Sequence, residues 1–369
     1  MAFTGQNRYT SKRSIQESGQ DPGSEEDVPM TLKDIAKEAG VSISTVSRVI
    51  HKSCQNAAGK EVQNRIWEIV RANGYTPNKN AQNLRCGNRE SVKPHTGSIA
   101  CLFSRTADMV NDSFFSPLAR SIEQEAFRQN YIVKYSFTAM DIDTPAVYRL
   151  VSENQVDGIA ILGRCDKDLL AFLKQYVKCV VYTGLNGLDG KCDQIVCNGT
   201  EIAVSAVNHL AGLGHRRIAY VGETHHEDRY AGYCRGLKSN NILLRNHLVI
   251  DSPISSEGGY AGMKKLLSET KDFTAVFCPN DVTAIGAMKA ISEAGLQIPD
   301  DISVISIDDI DMAQYFSPML TTYHIPIEEM GRMTAKILID RIREGHNLPM
   351  TVNLPYYLAK QETCAKPRC

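Results

Sequence analysis

The chain has 369 residues, 43% apolar and 22% charged, the balance of a globular protein with room for two or three packed domains. No run of eighteen apolar residues occurs, so no membrane-spanning helix is expected, and the first 29 residues lack the apolar segment of a secretory signal. The formal charge of −1 hides an asymmetry: residues 30–89 carry ten Lys/Arg against four Asp/Glu, a net of +6, on an otherwise acidic chain, which points to a polyanion partner for that module alone.

Residues 1–29, rich in Gly, Ser, Gln and acids, read as a disordered tail. Thr31 then starts a helix as N-cap, with Asp34 as its capping-box partner, and Leu32, Ile35, Ala36 and Ala39 form its inward stripe. Gly40 stops it. Ser42 caps a second helix, in which Val46, Val49 and Ile50 share one face while Ser44 and Arg48 point away and Ile43 sits on the exposed first turn. Helix, glycine turn and helix make a helix-turn-helix. The small outer face of "AGVSISTVSRVI" suits close approach to a DNA major groove, with hydroxyls and helix N-terminus on phosphates and Arg48 on a guanine edge. A third helix over about 60–73 turns Val62, Ile66, Ile69 and Val70 inward and ends at Gly74. Beyond Pro77, Asn78 can cap a short helix carrying Ala81 and Leu84, too short to persist alone. Leu84, apolar among polar and basic neighbours, serves either as a wedge between base pairs or as packing against the next domain.

From Ser98 onward, apolar runs ("SIACLF", "YIVKYSF", "DGIAILG", "KCVVYT", "RIAYVG", "TAVFCPN", "ISVISID") alternate with helical patterns at Phe114–Arg128, Glu201–Leu213, Asp281–Ala294 and Ile327–Arg343. That alternation predicts an α/β body of two doubly wound parallel-sheet subdomains. Ligands in such folds sit at strand C-termini, which nominates Asn198, Asn280, Asp281, Asp308, Asp309 and Arg229; turn and cap chemistry explains the paired aspartates equally well. The eleven cysteines are odd in number and lack a C-x-x-C pair, so reduced thiols in a cytosol are expected, with Cys101, Cys179, Cys197 and Cys278 buried. His225–His226 have no partner spacing for a metal, no Ser/His/Asp set is identifiable, and no phosphate-cradling glycine motif appears, so neither enzyme nor cofactor is expected.

"TLKDIAKEAGVSISTVSRVI" followed by "YTPNKNAQNLRCG" resembles the LacI/GalR transcription repressors, over about residues 30 to 364. The resemblance implies a disordered tail at 1–29, a helix-turn-helix domain at 30–77, a hinge helix and linker at 78–96, and a periplasmic-binding-protein-like effector and dimerisation body at 97–369. It matches Ile43, Ser44 and Arg48 to base-reading positions, Ser42, Thr45 and Ser47 to phosphate contacts, and Leu84 to an intercalating hinge leucine; Thr31, His51, Tyr75, Asn78 and Ala81 complete the DNA-facing set. "DRYAGY" matches the R-x-x-G segment that places Arg229 on an effector, and Asn280 and Asp308 fall in a long family block at effector positions. "NDSFF" resembles the family turn that nominates Phe115, and Asn198 is added although Ile202 replaces the usual glycine. Ile254 stands where an aromatic often stacks on a sugar. His215-Arg216-Arg217, in "LGHRR", is read as structural.

The expectation is a cytoplasmic homodimeric repressor of sugar-utilisation genes that binds a near-palindromic double-stranded operator and is released by a small sugar or sugar derivative in the inter-subdomain cleft. The alternatives are a corepressor-dependent regulator of purine type, a transport-type sugar-binding protein, or an α/β enzyme with an appended DNA module. The C-terminal segment lacks leucine heptads, so no appended tetramerising helix is expected.

Overall fold

The structure, a computed structural model, describes residues 30–50, 58–72, 95–104, 112–139, 156–188 and 191–368. The chain divides into two compact units, Met1–Pro94 and His95–Cys369.

In the first unit, α1 (Leu32–Glu38), α2 (Ile43–Ile50) and α3 (Lys60–Ala72) enclose a small core. Ile35, Ala36 and Ala39 of the first helix meet Val46 and Val49 of the second and Ile66, Ile69 and Val70 of the third. Ile35, Val46 and Ile66 are fully buried, each contributing on the order of 1.5–3 kcal/mol. The expected capping box is present: the Asp34 amide donates to Thr31 Oγ1 at 3.4 Å while the Thr31 amide donates to Asp34 Oδ2 at 3.0 Å. Gly40 takes φ +66°, a left-handed conformation that frees the chain to turn into α2. Ser42 Oγ accepts the Thr45 amide at 3.1 Å and so starts α2.

Among its described residues the second unit holds two six-stranded sheets. In the first, β1 (Ser98–Phe103), β2 (Ile132–Thr138), β3 (Gly158–Leu162), β4 (Cys179–Gly184), β5 (Asp193–Val196) and β11 (Thr351–Asn353) run parallel in the order β11-β5-β4-β3-β1-β2. In the second, β6 (Ile218–Gly222), β7 (Val249–Asp251), β8 (Ala275–Phe277), β9 (Ser303–Asp308), β10 (Thr321–His324) and β12 (Tyr357–Ala359) follow the order β12-β10-β9-β8-β6-β7, with β12 antiparallel to β10. The central strands are buried on both faces, as the uninterrupted apolar runs require. Each sheet is thus one doubly wound subdomain. Three connections cross between them: after β5, after β10, and between β11 and β12.

Among the described residues its helices are α4 (Phe115–Arg128), α5 (Lys167–Tyr176), α6 (Gly199–Leu213), α7 (Asp228–Ser239), α8 (Ser256–Glu269), α9 (Asp281–Glu293) and α10 (Ile327–Ile342). Ile202, which replaces the expected glycine, is fully buried on the inward face of α6. His215 is structural: its ring nitrogens lie 2.8 Å from Thr274 Oγ1 and 2.9 Å from the Ala365 carbonyl. Cys101, Cys179, Cys197 and Cys278 are buried free thiols, and burial pushes Cys101 up to about 12.

Helices α8 and α9 pack so closely that glycine is obligatory between them. A Cβ on Gly259 would lie 2.0 Å from the Thr283 carbonyl oxygen, and one on Gly286 would lie 2.0 Å from that of Ser256. Gly259→Ala is therefore expected to destabilise the second unit by about 2–3 kcal/mol, read as a lower urea midpoint; an unchanged midpoint would show that the two helices separate freely.

Candidate functional site

The C-terminal ends of the two sheets face a cavity of about 610 Å³, within the range that holds a small ligand. Its wall on the first subdomain carries Phe115, Arg164 and Tyr182; on the second it carries Arg229, Ile254, Asn280 and Asp308. Asp112 Oδ1 accepts the amides of Phe114 and Phe115 at 2.9 and 2.7 Å, which starts α4 and sets two phenyl rings edge to face, centroids 5.1 Å apart, at the mouth of the cavity.

Arg229 is 4% exposed and almost wholly engaged by the protein. Its Nε and Nη2 donate to the Glu227 carboxylate at 2.6 and 3.0 Å, and Nη1 donates to the Pro279 carbonyl at 2.9 Å. Burial opposes the charge, but Glu227 outweighs it and holds the guanidinium above its ordinary pKa. Glu227 is fully buried and accepts a second guanidinium, Arg164 Nη2, at 2.7 Å.

Asp308 closes the floor at φ +128°, followed by Asp309 at +58°, a left-handed turn that β-strand residues rarely enter. The neighbouring Asp281, fully buried, holds this turn: Ser306 and Thr322 hydroxyls donate to it at 2.5 and 2.6 Å, and the Ile310 amide donates at 2.9 Å. Burial pushes the Asp281 carboxyl up to about 6, against those three hydrogen bonds. Its folded-state value thus lies above the unfolded one, so the folded chain binds more protons between pH 4 and 6 and loses stability as pH rises through that window. Relative to Asp281→Asn, which cannot ionise, the natural chain should lose on the order of 2 kcal/mol of stability from pH 4 to 6.5. Paired urea titrations give this difference, and a difference constant with pH would contradict it.

Asn280 caps α9 through its Oδ1, which accepts the Thr283 amide at 3.1 Å, and it lines the cavity. Asn198 does not line it. It is exposed and caps α6, its Oδ1 accepting the Glu201 amide at 3.2 Å, because the chain leaves β5 toward the crossover rather than into the cavity. Sequence reasoning missed Arg164, Glu227 and Tyr182; an arginine directly after a strand-ending glycine ("LGRC") was the available signal for the first.

In the first unit, Ser42, Ile43, Ser44 and Arg48 form one exposed face of α2, while Thr45 and Ser47 are half-buried beside it. Ile43 is 42% exposed, which no internal packing explains. Ser42 Oγ lies 2.8 Å from Ser44 Oγ and 2.9 Å from Thr45 Oγ1, a hydroxyl cluster at the helix N-terminus. Arg48 Nε donates to the Ser44 carbonyl at 3.2 Å. Thr31 lies at the start of α1 with its hydroxyl inside the capping box. His51, Tyr75, Asn78, Ala81 and Leu84, with the tail and the hinge, lie outside the described residues.

The family profile "Bacterial regulatory proteins, lacI family" matches residues 31–78, and "Periplasmic binding protein-like domain" matches residues 207–364. The HTH-type transcriptional repressor PurR of Photorhabdus laumondii is 33% identical over 320 residues, 85% of this chain and 90% of that protein. The chain belongs to the LacI family. A LacI-family regulator from Enterococcus faecium with bound ribose is 30% identical with a TM-score of 0.64, covering 73% of this chain and 99% of that one. The lac repressor dimer bound to operator and the anti-inducer ONPF shares the fold at 24% identity and a TM-score of 0.74, over 92% of this chain and all of that one. This LacI-family chain is a DNA-binding transcription regulator rather than an enzyme. Regulators of the family bind DNA operators and small-molecule effectors and function as dimers. Among the described residues no helix is long and apolar enough to cross a membrane, and no cluster of metal-ligating side chains occurs.

Proposed function

We propose that this regulator is a cytoplasmic homodimeric repressor of PurR type, whose effector occupies the cavity and strengthens operator binding. The observation that carries this is the similarity to PurR repressors along nearly the whole chain, 33% in Photorhabdus laumondii and 30% over 91% of the chain in Yersinia enterocolitica. It favours the corepressor alternative over the sugar inducer first expected from sequence. Ile254 on the cavity wall supports the same choice, since an aliphatic side chain gives a sugar no aromatic face there.

The cavity chemistry supports a neutral effector. Arg164 and Arg229 are neutralised by Glu223 and Glu227, while Asp112, Glu257 and Asp308 add negative charge to the lining, so a phosphate or carboxylate would meet repulsion. Arg229 as donor and Asp308 as acceptor suit the adjacent carbonyl and N–H of an oxopurine base, with Phe115 against the ring. The sugar-inducer reading keeps one specific support, the ribose-bound relative at 30% identity.

At the operator, Ile43, Ser44 and Arg48 read base edges, and Ser42, Thr45 and Ser47 hold phosphates, with Thr31, His51, Tyr75, Asn78 and Ala81 nearby. Leu84 from each hinge would open a base step, so Leu84→Ala is expected to weaken specific operator binding far more than nonspecific binding in paired anisotropy titrations; equal loss in both would remove the wedge. The effector test is operator binding with hypoxanthine, guanine, ribose or cellobiose present. Tighter binding with a purine base alone supports the proposal; release by a sugar supports the inducer reading and overturns it.

A further inference from the structure

Arg164 follows β3 of the first subdomain, whereas its partners Glu223 and Glu227 follow β6 of the second. Its Nη2 donates to Glu223 Oε2 at 3.0 Å and to Glu227 Oε2 at 2.7 Å, so one guanidinium bridges the mouth of the cavity. We infer that Arg164 is a cross-cleft latch: its ion pairs with Glu223 and Glu227 bias the two subdomains toward closure.

The strength of the latch comes from its surroundings. The Glu227 side chain is 0% exposed and already carries Arg229 at 2.6 Å, so Arg164, Glu227 and Arg229 form a cation–anion–cation chain in which the central charge is screened only by protein. Opening the cleft by a few ångströms removes Arg164 from that chain and costs the buried carboxylate one of its two cations. Glu223 and Arg164 are about one-third exposed, so salt reaches this outer half of the bridge and weakens it. Beside it, the Gly187 amide of the first subdomain donates to Asp228 Oδ2 of the second at 3.0 Å, a charge-assisted contact that closes the same edge.

The latch also deepens the effector reading. Arg164 Nε is buried with no hydrogen-bond partner among the described residues, and Arg164 lines the cavity. A ligand carbonyl or hydroxyl oxygen could accept from it without breaking either ion pair. Such a ligand would reinforce closure; one that competed for Nη2 would undo it. Arg164 would therefore act as a positioning residue that sets which ligands close the protein.

The test needs no effector, so its failure is separable from that of the proposed corepressor role. Donor and acceptor dyes are placed through noncanonical amino acids at exposed Asp168 on α5 and Lys238 on α7, one in each subdomain, and labelled full-length chains are diluted into unlabelled protein for single-molecule energy transfer. At about 50 mM NaCl the natural chain should show a high-transfer population beside a low-transfer minority, and about 1 M NaCl should shift the balance toward lower transfer. Arg164→Met should already show the low-transfer population at low salt and respond no further, Arg164→Lys should fall between, and Glu223→Gln should move in the same direction as Arg164→Met. Because Glu223 is partly exposed, that second variant keeps the test decisive if Arg164→Met fails to fold. Unchanged transfer in Glu223→Gln and Arg164→Lys, or equal salt shifts in variants and natural chain, would overturn the latch.

Discussion

Arg229→Ala is expected to abolish the effector response and to destabilise the second unit by about 3–5 kcal/mol. Both effects have one origin. The Glu227 side chain is fully buried and depends on the bidentate guanidinium, so truncation leaves a desolvated carboxylate without its main partner, and the Pro279 carbonyl loses its donor as well. The same guanidinium lines the cavity. Urea unfolding reads the first effect and effector titration the second. A variant within 1 kcal/mol of the natural chain would show that Arg164, whose Nη2 lies 2.7 Å from the same carboxylate, compensates it alone. Arg229→Lys separates the two: it keeps a cation beside Glu227 and so restores part of the stability, but lacks the planar fork and should not restore the response.

Arg48→Ala should weaken specific operator binding by about 1–3 kcal/mol and relax preference at one base pair, because a bidentate arginine–guanine contact discriminates by that amount. In the structure Arg48 lies on the exposed face of α2 with its Nε donating to the Ser44 carbonyl, so reaching a base edge exchanges one weak internal bond for two directed ones. Nonspecific binding should change far less, since the net +6 of residues 30–89 supplies it. Ser44→Ala on the same face should cost less, having no charge to lose. Equal loss of specific and nonspecific affinity in Arg48→Ala would make it a phosphate contact.

The contrast between α1–α2 and the cavity shows what a sequence carries on its surface. The helix-turn-helix was legible because its determinants are local: Thr31 and Asp34 are three residues apart, Gly40 has the left-handed conformation that only its own identity suggests, and the inward stripe repeats at helical spacing. The central strands were legible because burial on both faces leaves an unbroken apolar run. The edge strands β11 and β12 were not, being three residues long and half-exposed, with no period to detect.

The cavity divides along the same line. Arg229, Asn280 and Asp308 stood at strand and helix ends, where position alone nominates a residue. Asn198 stood at such an end too, but its side chain was spent on capping α6, a competing use that the sequence does not rank. Arg164 also stood at a strand end, after a glycine, but its cross-cleft pairing was not legible because its partners lie 59 and 63 residues downstream, joined only when two separate sheets come together. Asp281 was seen as a ligand candidate and proves to be the anchor beneath Asp308, a role that depends on Thr322, 41 residues away.

The most direct measurement is selection of duplexes from a random library by the full-length chain, followed by anisotropy titration of the winner across salt, with and without purine bases and sugars. The winner should be near-palindromic and bound by a dimer, with affinity falling steeply with salt and changing roughly 5- to 150-fold when an effector fills the cavity. A chain that enriches no symmetric sequence, and binds all duplexes alike whatever small molecule is present, would contradict it.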